Sequence, residues 1–236
     1  MHCLPLGQRL TPGAVVAVRR HGREIHSGCY GLASLPHRIP LSRSSVIRIA
    51  SQTKQFTVLL AMMLESEGKL SLQDDIRRHL RWLPEFPRTV TLQHLAAKVS
   101  GLRDYFEIMV LGGQSPPSPT PVSLQLRIIR EHAAVDFSAG DDLNYSNTGF
   151  LLLHEVIEQV SGRSYNELLY DRITGPLRMH QTLLMKEDDE IVPCLVDHHT
   201  KGWEVSGAAP GGLATRRMAT AASFRRSTIC WSGWPT

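Results

Sequence analysis

The sequence predicts an α/β fold of the α+β kind with an incomplete sheet, and three observations carry that expectation. Two short β-type runs near the N-terminus meet at a hairpin signal, a long helical region spans 49–180, and almost no strand pattern follows it. Such an order leaves a two-stranded hairpin that is marginal in water unless a larger sheet or a helix covers it. The expected molecule therefore exposes a sheet edge.

Val15 to Val18 and Arg23 to Cys29 read as the two strands, joined at His21-Gly22, where glycine accepts the positive φ of a tight turn. A polar loop with Pro36, Pro40, Ser42, Ser44 and Ser45 leads to the run Phe56 to Leu64. That run is apolar nearly all the way round, which predicts a helix enclosed by protein, with Gly68 as its C′ stop. Ser71 reads as the N-cap of a helix over 72–80, and Ser115 to Pro121 as an exposed loop. Further helices are expected at 122–133, 149–161 and 164–172. The whole forms a single domain over 1–236: hairpin and loop at 11–48, helical region at 49–180, return segment at 181–218 and an atypical tail at 219–236. The tail shows neither helical nor strand periodicity and holds Trp231 and Trp234. A frameshift or premature end accounts for it, and so does a short amphipathic segment that packs locally.

With 236 residues, 42% hydrophobic and 20% charged, the chain has room for one sizeable core, which excludes disorder. The net charge of +4 is spread along the chain instead of gathered with aromatics, so no nucleic-acid partner is expected. Cys3, Cys29, Cys194 and Cys230 are scattered without the spacing of a zinc site or a disulfide framework. No run approaches the ~20 apolar residues of a membrane span. The N-terminus has no signal-peptide pattern, so the chain as written reads as cytoplasmic.

The chemistry concentrates in Ser51-Gln52-Thr53-Lys54, at the mouth of the apolar helix. Residues i and i+3 of a helix are surface neighbours, so a hydroxyl and an amine share a face one turn apart. Serine needs such a base to become a nucleophile, and lysine serves only where burial lowers its pKa. Taken alone, the same letters fit an N-cap serine followed by a solvated lysine. A second segment, Asn144-Tyr145-Ser146-Asn147-Thr148-Gly149, lies on a loop ahead of another apolar helix and can project its side chains into a cleft. Asp197 with His198-His199 fits a polar loop better than a metal centre, because adjacent side chains diverge and a fourth ligand is missing. Lys186 to Glu190 reads as a solvated charge run, and Arg216-Arg217 and Arg225-Arg226 as surface.

Together these segments resemble the serine β-lactamase and penicillin-binding-protein-like family, in the branch of class C β-lactamases, D-aminopeptidases, DD-peptidases and esterases. Thr11 to Val18 and Gly28 to Ala33 resemble its first strands, Ile49 to Thr57 its nucleophile segment, and Val99 to Tyr105 its Ser-Gly-Leu turn, with Lys98 where a histidine is common. Arg172 to Met179 is similar to its helix exit and Gly211 to Thr215 to its Gly-Gly-Leu return, so the resemblance runs from Thr11 to about Met218. It implies a β-lactamase/transpeptidase-like fold without metal or cofactor, acting on a small peptide, amide or ester. It further implies Ser51 as the nucleophile, Lys54 or Tyr145 as the base, and Asn147 as the residue that orients Lys54 and meets the substrate amide. Members of the family are often periplasmic or secreted.

The family's third motif, Lys-Thr-Gly or His-x-Gly on a later strand, is missing. Thr200-Lys201-Gly202 has the letters in the wrong order and precedes Gly211-Gly212. Two expectations follow: a serine hydrolase working through a Ser51 acyl-enzyme, or a truncated, catalytically silent remnant that at most binds such ligands.

Overall fold

The computed structural model describes residues 11–113, 120–185 and 190–197, together with the backbone of 229–231. The Lys186 to Asp189 run, His198-His199, Thr200 to Gly202, Gly211 to Thr215 and the arginine pairs lie outside the described residues.

Strands β1 (Ala14–Arg20) and β2 (Arg23–Tyr30) form the expected antiparallel hairpin, with a bulge between Val18 and Arg19. Both turn residues have positive φ, 48° at His21 and 76° at Gly22, which is the requirement of a tight turn matched to strand twist. Val16, Val18 and Ile25 are exposed on this ribbon. β3 (Leu32–Ser34) pairs with β4 (Ile39–Pro40), and β5 (Ile47–Arg48) then delivers the chain to a 3-10 turn, Ala50–Thr53.

Helix α1 (Lys54–Ser66) ends as the sequence predicts. Gly68, at φ 69°, is its C′ residue, and a Schellman pair closes the last turn: Gly68 N–H to Glu65 O at 2.8 Å and Lys69 N–H to Leu64 O at 3.0 Å. The expectation of an enclosed helix is corrected. Lys54, Thr57, Leu60, Ala61 and Leu64 form one buried stripe, whereas Leu59 and Met62 are 41% and 52% exposed. All-round apolarity reports composition, and only the neighbours decide which face is covered.

The helix expected over 72–80 begins later, as α2 (Ile76–His79). Asp74 accepts from Ser71 N–H at 3.0 Å and holds residues 71–74 in a turn, so Asp75 takes the cap by accepting from Arg77 N–H at 2.8 Å. Next come α3 (Leu92–Ala97), α4 (Tyr105–Leu111), α5 (Val122–Glu131), α6 (Thr148–Ser161) and α7 (Tyr165–Leu169), the last continued by a π turn, Tyr170–Thr174. α6 packs against both α1 and α3. Leu60, Ala61, Leu92, Leu95, Leu152, Leu153, Val156 and Ile157 are at most 1% exposed, so the core sits directly beneath Lys54 and Asn147. Among the described residues, no helix is long and apolar enough to cross a membrane.

The tail carries a short strand although it shows no strand periodicity. Ile229–Trp231 forms β7, antiparallel to β5 and to β6 (Leu183–Leu184), in the order β5-β7-β6. Cys230 lies opposite both Arg48 and Leu183, so β7 fills the space between two strands that would otherwise present unpaired backbone groups to each other. Three residues are too few for alternation to be read. Ile229-Cys230-Trp231 carries neither form of the third motif. Cys29 is buried and Cys194 exposed.

Candidate active site

Two segments 94 positions apart meet at Ser51: its Oγ shares a short hydrogen bond with the Tyr145 hydroxyl. Lys54 Nζ lies 3.4 Å from Ser51 Oγ and donates to Asn147 Oδ1 at 3.0 Å. The structure thus brings Ser51, Lys54, Tyr145 and Asn147 into one cluster, with Ser51 at the surface and Lys54 and Asn147 each only 7% exposed. Asp197, the third member of the rejected metal group, is exposed, and its backbone N–H bonds Ala33 O at 2.9 Å, remote in its bonding from this cluster.

The placement follows from local structure. Ser51 belongs to the 3-10 turn, so three residues on, at the first position of α1, Lys54 returns to the same face. Ala50, immediately before the serine, has φ 45°, a left-handed conformation that costs an L-residue about 1–2 kcal/mol. Strain of this size beside a reactive side chain is a recurrent mark of functional sites.

Asn147 and Thr148 are held by Asp104, a residue without an expected role. Asp104, 4% exposed, caps α4 by accepting from Phe106 N–H at 2.9 Å. Its other oxygen accepts from the backbone N–H of Asn147 and from Thr148 N–H at 3.3 Å, while Asn147 Nδ2 reaches Asp104 Oδ1 at 3.3 Å. With the amide nitrogen committed to Asp104, the Asn147 carbonyl oxygen faces Lys54. Thr148 adds a reciprocal tie, donating to Arg103 O and accepting from Tyr105 N–H, each at 2.9 Å. An Asp ahead of Tyr105-Phe106 does signal a cap. Nothing in the sequence signals that the same carboxylate also anchors a loop 43 positions away.

The Ser-Gly-Leu turn supports this from the side. Gly101 has φ 70°, and a Cβ there would lie 1.9 Å from Phe137 O, so only glycine fits. Ser146 is buried and accepts from Gly149 N–H at 2.9 Å, which makes it a cap for α6 instead of a group that faces the cleft.

The electrostatics favour proton transfer at Tyr145. Partial burial opposes its phenolate, but contacts with Lys54 and Ser51 and the charges of Lys54 and Lys98 outweigh burial, and the hydroxyl is held below the ordinary tyrosine range. Lys54 Nζ lies 4.7 Å from the Tyr145 ring centroid and Lys98 Nζ 5.2 Å from it. By contrast, burial pushes Tyr105 and Tyr165 well above that range. A serine hydroxyl with a depressed phenol and a buried amine in reach can lose its proton during attack on a carbonyl. The described residues also contain one group with metal-ligand atoms in proximity, His154, Glu155 and Glu158, on α6 away from this cluster.

Comparison with known proteins agrees with this arrangement of elements. A model of the Beta-lactamase family matches residues 5–229, which carries the likeness past Met218 and through the first residue of β7. Penicillin-binding protein 4* of Bacillus subtilis (strain 168) is 30% identical over 199 residues, 84% of this chain and 43% of that relative. The D-aminopeptidase of Gluconobacter oxydans (strain 621H) is 31% identical over 178 residues, 75% of this chain and 33% of the relative. A penicillin-binding protein homologue from Pyrococcus abyssi superposes with a TM-score of 0.71 at 25% identity, covering 94% of this chain and 50% of the other. The chain thus spans between a third and a half of the lengths of these relatives. Over that span it belongs to the β-lactamase family, related to penicillin-binding proteins and D-aminopeptidases, and has their β-lactamase/transpeptidase-like fold.

Proposed function

We propose that the chain is a serine hydrolase that opens an amide or ester bond through an acyl-enzyme on Ser51. The observation that carries this reading is the single point at which Ser51 Oγ, Tyr145 OH and Lys54 Nζ converge. Ser51 attacks the carbonyl carbon as its proton passes to Tyr145 or Lys54, and Tyr145 returns a proton to the leaving group. Water, activated by the same group, then releases the acyl chain. Asn147 orients the Lys54 amine and meets the substrate amide. The Ser51 backbone N–H, in the turn that opens α1, supplies one oxyanion donor. No metal or organic cofactor enters these steps. The relatives named D-aminopeptidase favour a small D-amino-acid peptide or amide as substrate.

A second reading, a catalytically silent remnant that at most binds such ligands, is favoured by the missing Lys-Thr-Gly or His-x-Gly, since losing one oxyanion donor costs roughly 10²–10³ in rate. Pre-steady-state release of p-nitrophenol from an ester by the full chain separates the two. The expected result is a burst followed by steady turnover, both lost in Ser51→Ala. A burst without turnover, or rates equal to those of Ser51→Ala, supports the remnant and ends the hydrolase reading.

A further inference from the structure

We propose that Lys98 is a positioning residue for proton transfer at this site: its ammonium supplies a second positive charge over Tyr145 and selects the phenolate form that takes the Ser51 proton. The proposal rests on the reading of Ser51 as nucleophile, but its physical core concerns Tyr145 alone.

Three features of the backbone fix Lys98 in place. It is the C-cap of α3 at φ 63°, a left-handed residue that ends the helix. Its N–H bonds Leu95 O at 3.2 Å, and the next N–H, of Val99, bonds His94 O at 3.0 Å. Its own carbonyl accepts from Asn144 N–H at 3.0 Å. The residue whose carbonyl holds the backbone next to Tyr145 therefore also places its ammonium 5.2 Å from the Tyr145 ring. Cap and charge are one unit.

Lys54 does not make Lys98 redundant. The Lys54 amine is shared among Asn147 Oδ1, Ser51 Oγ and the Tyr145 ring, and it changes charge itself if it takes the serine proton. Lys98 lies outside that exchange. Among the described residues, two further titratable groups near Tyr145 stand at the start of α4. Asp104 has both oxygens engaged by N–H groups of Phe106, Asn147 and Thr148, and Tyr105 has its hydroxyl pushed far up by burial first, then by the charge of Asp104 and of Tyr145. Both are common to every Lys98 variant and cancel in a comparison.

A unit charge at this range, in surroundings between protein and water, moves a phenol by about one pH unit. The test is an ultraviolet titration of tyrosinate on the full chain, with Tyr145→Phe subtracted to isolate the signal. Tyr105 and Tyr165 stay silent in the window because burial raises both. Lys98→Gln and Lys98→Ala should move the Tyr145 titration up by about one unit. Lys98→His should follow them, since an imidazole has lost its charge there, and Lys98→Arg should retain the original curve. Gln keeps much of the length of lysine, so it serves if the alanine variant fails to fold. The acid limb of Ser51 acylation should shift with the titration, giving roughly tenfold slower acylation one unit below the original limb. Superimposable titrations in wild type and Lys98→Gln overturn the proposal. A shifted titration in a chain that never acylates sustains it and removes the hydrolase reading instead.

Discussion

Replacing Asp104 by alanine probes the joint between the two halves of the site. The carboxylate accepts from three backbone N–H groups and one side-chain amide while only 4% exposed. Loss of the α4 cap costs about 1 kcal/mol, and a buried N–H left without a partner costs roughly 1–3 kcal/mol. With Asn147 and Thr148 both orphaned, the total comes to about 3–7 kcal/mol, a large share of the roughly 5–15 kcal/mol that stabilises a typical domain. Asp104→Asn keeps one acceptor oxygen but aims its amide at an N–H, so about half that loss is expected. Urea midpoints read the stability. Ser51 acylation by a fluorophosphonate, measured in whatever fraction stays folded, reads the position of Asn147. A loss below about 1 kcal/mol with unchanged acylation would refute the anchoring role.

Three further outcomes follow from the same geometry. Gly101→Ala should destabilise by several kcal/mol, roughly the upper end of single-residue effects, because its Cβ meets a backbone carbonyl at 1.9 Å and not a side chain that can turn away; a thermal midpoint within two or three degrees of wild type would contradict this. Tyr165 has a folded-state pKa raised by burial, so the stability tied to its neutral form is complete below the ordinary value of 10.0 and is lost as pH rises above it. Tyr165→Phe should therefore lose about 1 kcal/mol near neutrality with the 3.0 Å bond to Thr57, yet unfold less steeply at alkaline pH, and urea titrations at two pH values check both signs. His154 stacks on Tyr165 with ring centroids 4.6 Å apart, while neither of its buried ring nitrogens has a hydrogen bond. His154→Phe keeps the stack and removes the buried polar atoms, so the thermal midpoint should rise by a few degrees, and a fall would indicate that the 3.5 Å approach to Glu158 is stabilising.

The sequence disclosed those parts of the fold that depend on local chemistry. His21-Gly22 demanded positive φ, Gly68 ended α1, and the starts of α5, α6 and α7 fell within a residue of their expected positions. Ser51, Lys54, Tyr145 and Asn147 could be named because two short motifs combined are rare, even where each one alone is common. Misreadings came where a distant partner decides. Asp74 displaced the start of α2, and the neighbours of α1 left Leu59 and Met62 exposed in a run that looked uniformly buried. β7 exists because β5 and β6 leave a gap of one strand, a fact of topology that three residues cannot announce. Asp104 and Lys98 act through space on a loop more than forty positions away, and their own flanking residues advertise only a cap and a turn.

The most direct measurement of the central claim is the site and rate of covalent labelling of the full chain by a fluorophosphonate, read by peptide mass. A single adduct on the Ser51 peptide is expected, absent in Ser51→Ala and formed roughly 10²-fold more slowly in Lys54→Ala and in Tyr145→Phe, the scale of general-base assistance. Labelling spread over several serines, or labelling of Ser51 at the same rate in all three proteins, would show that the convergence of Ser51, Lys54 and Tyr145 does not activate the serine.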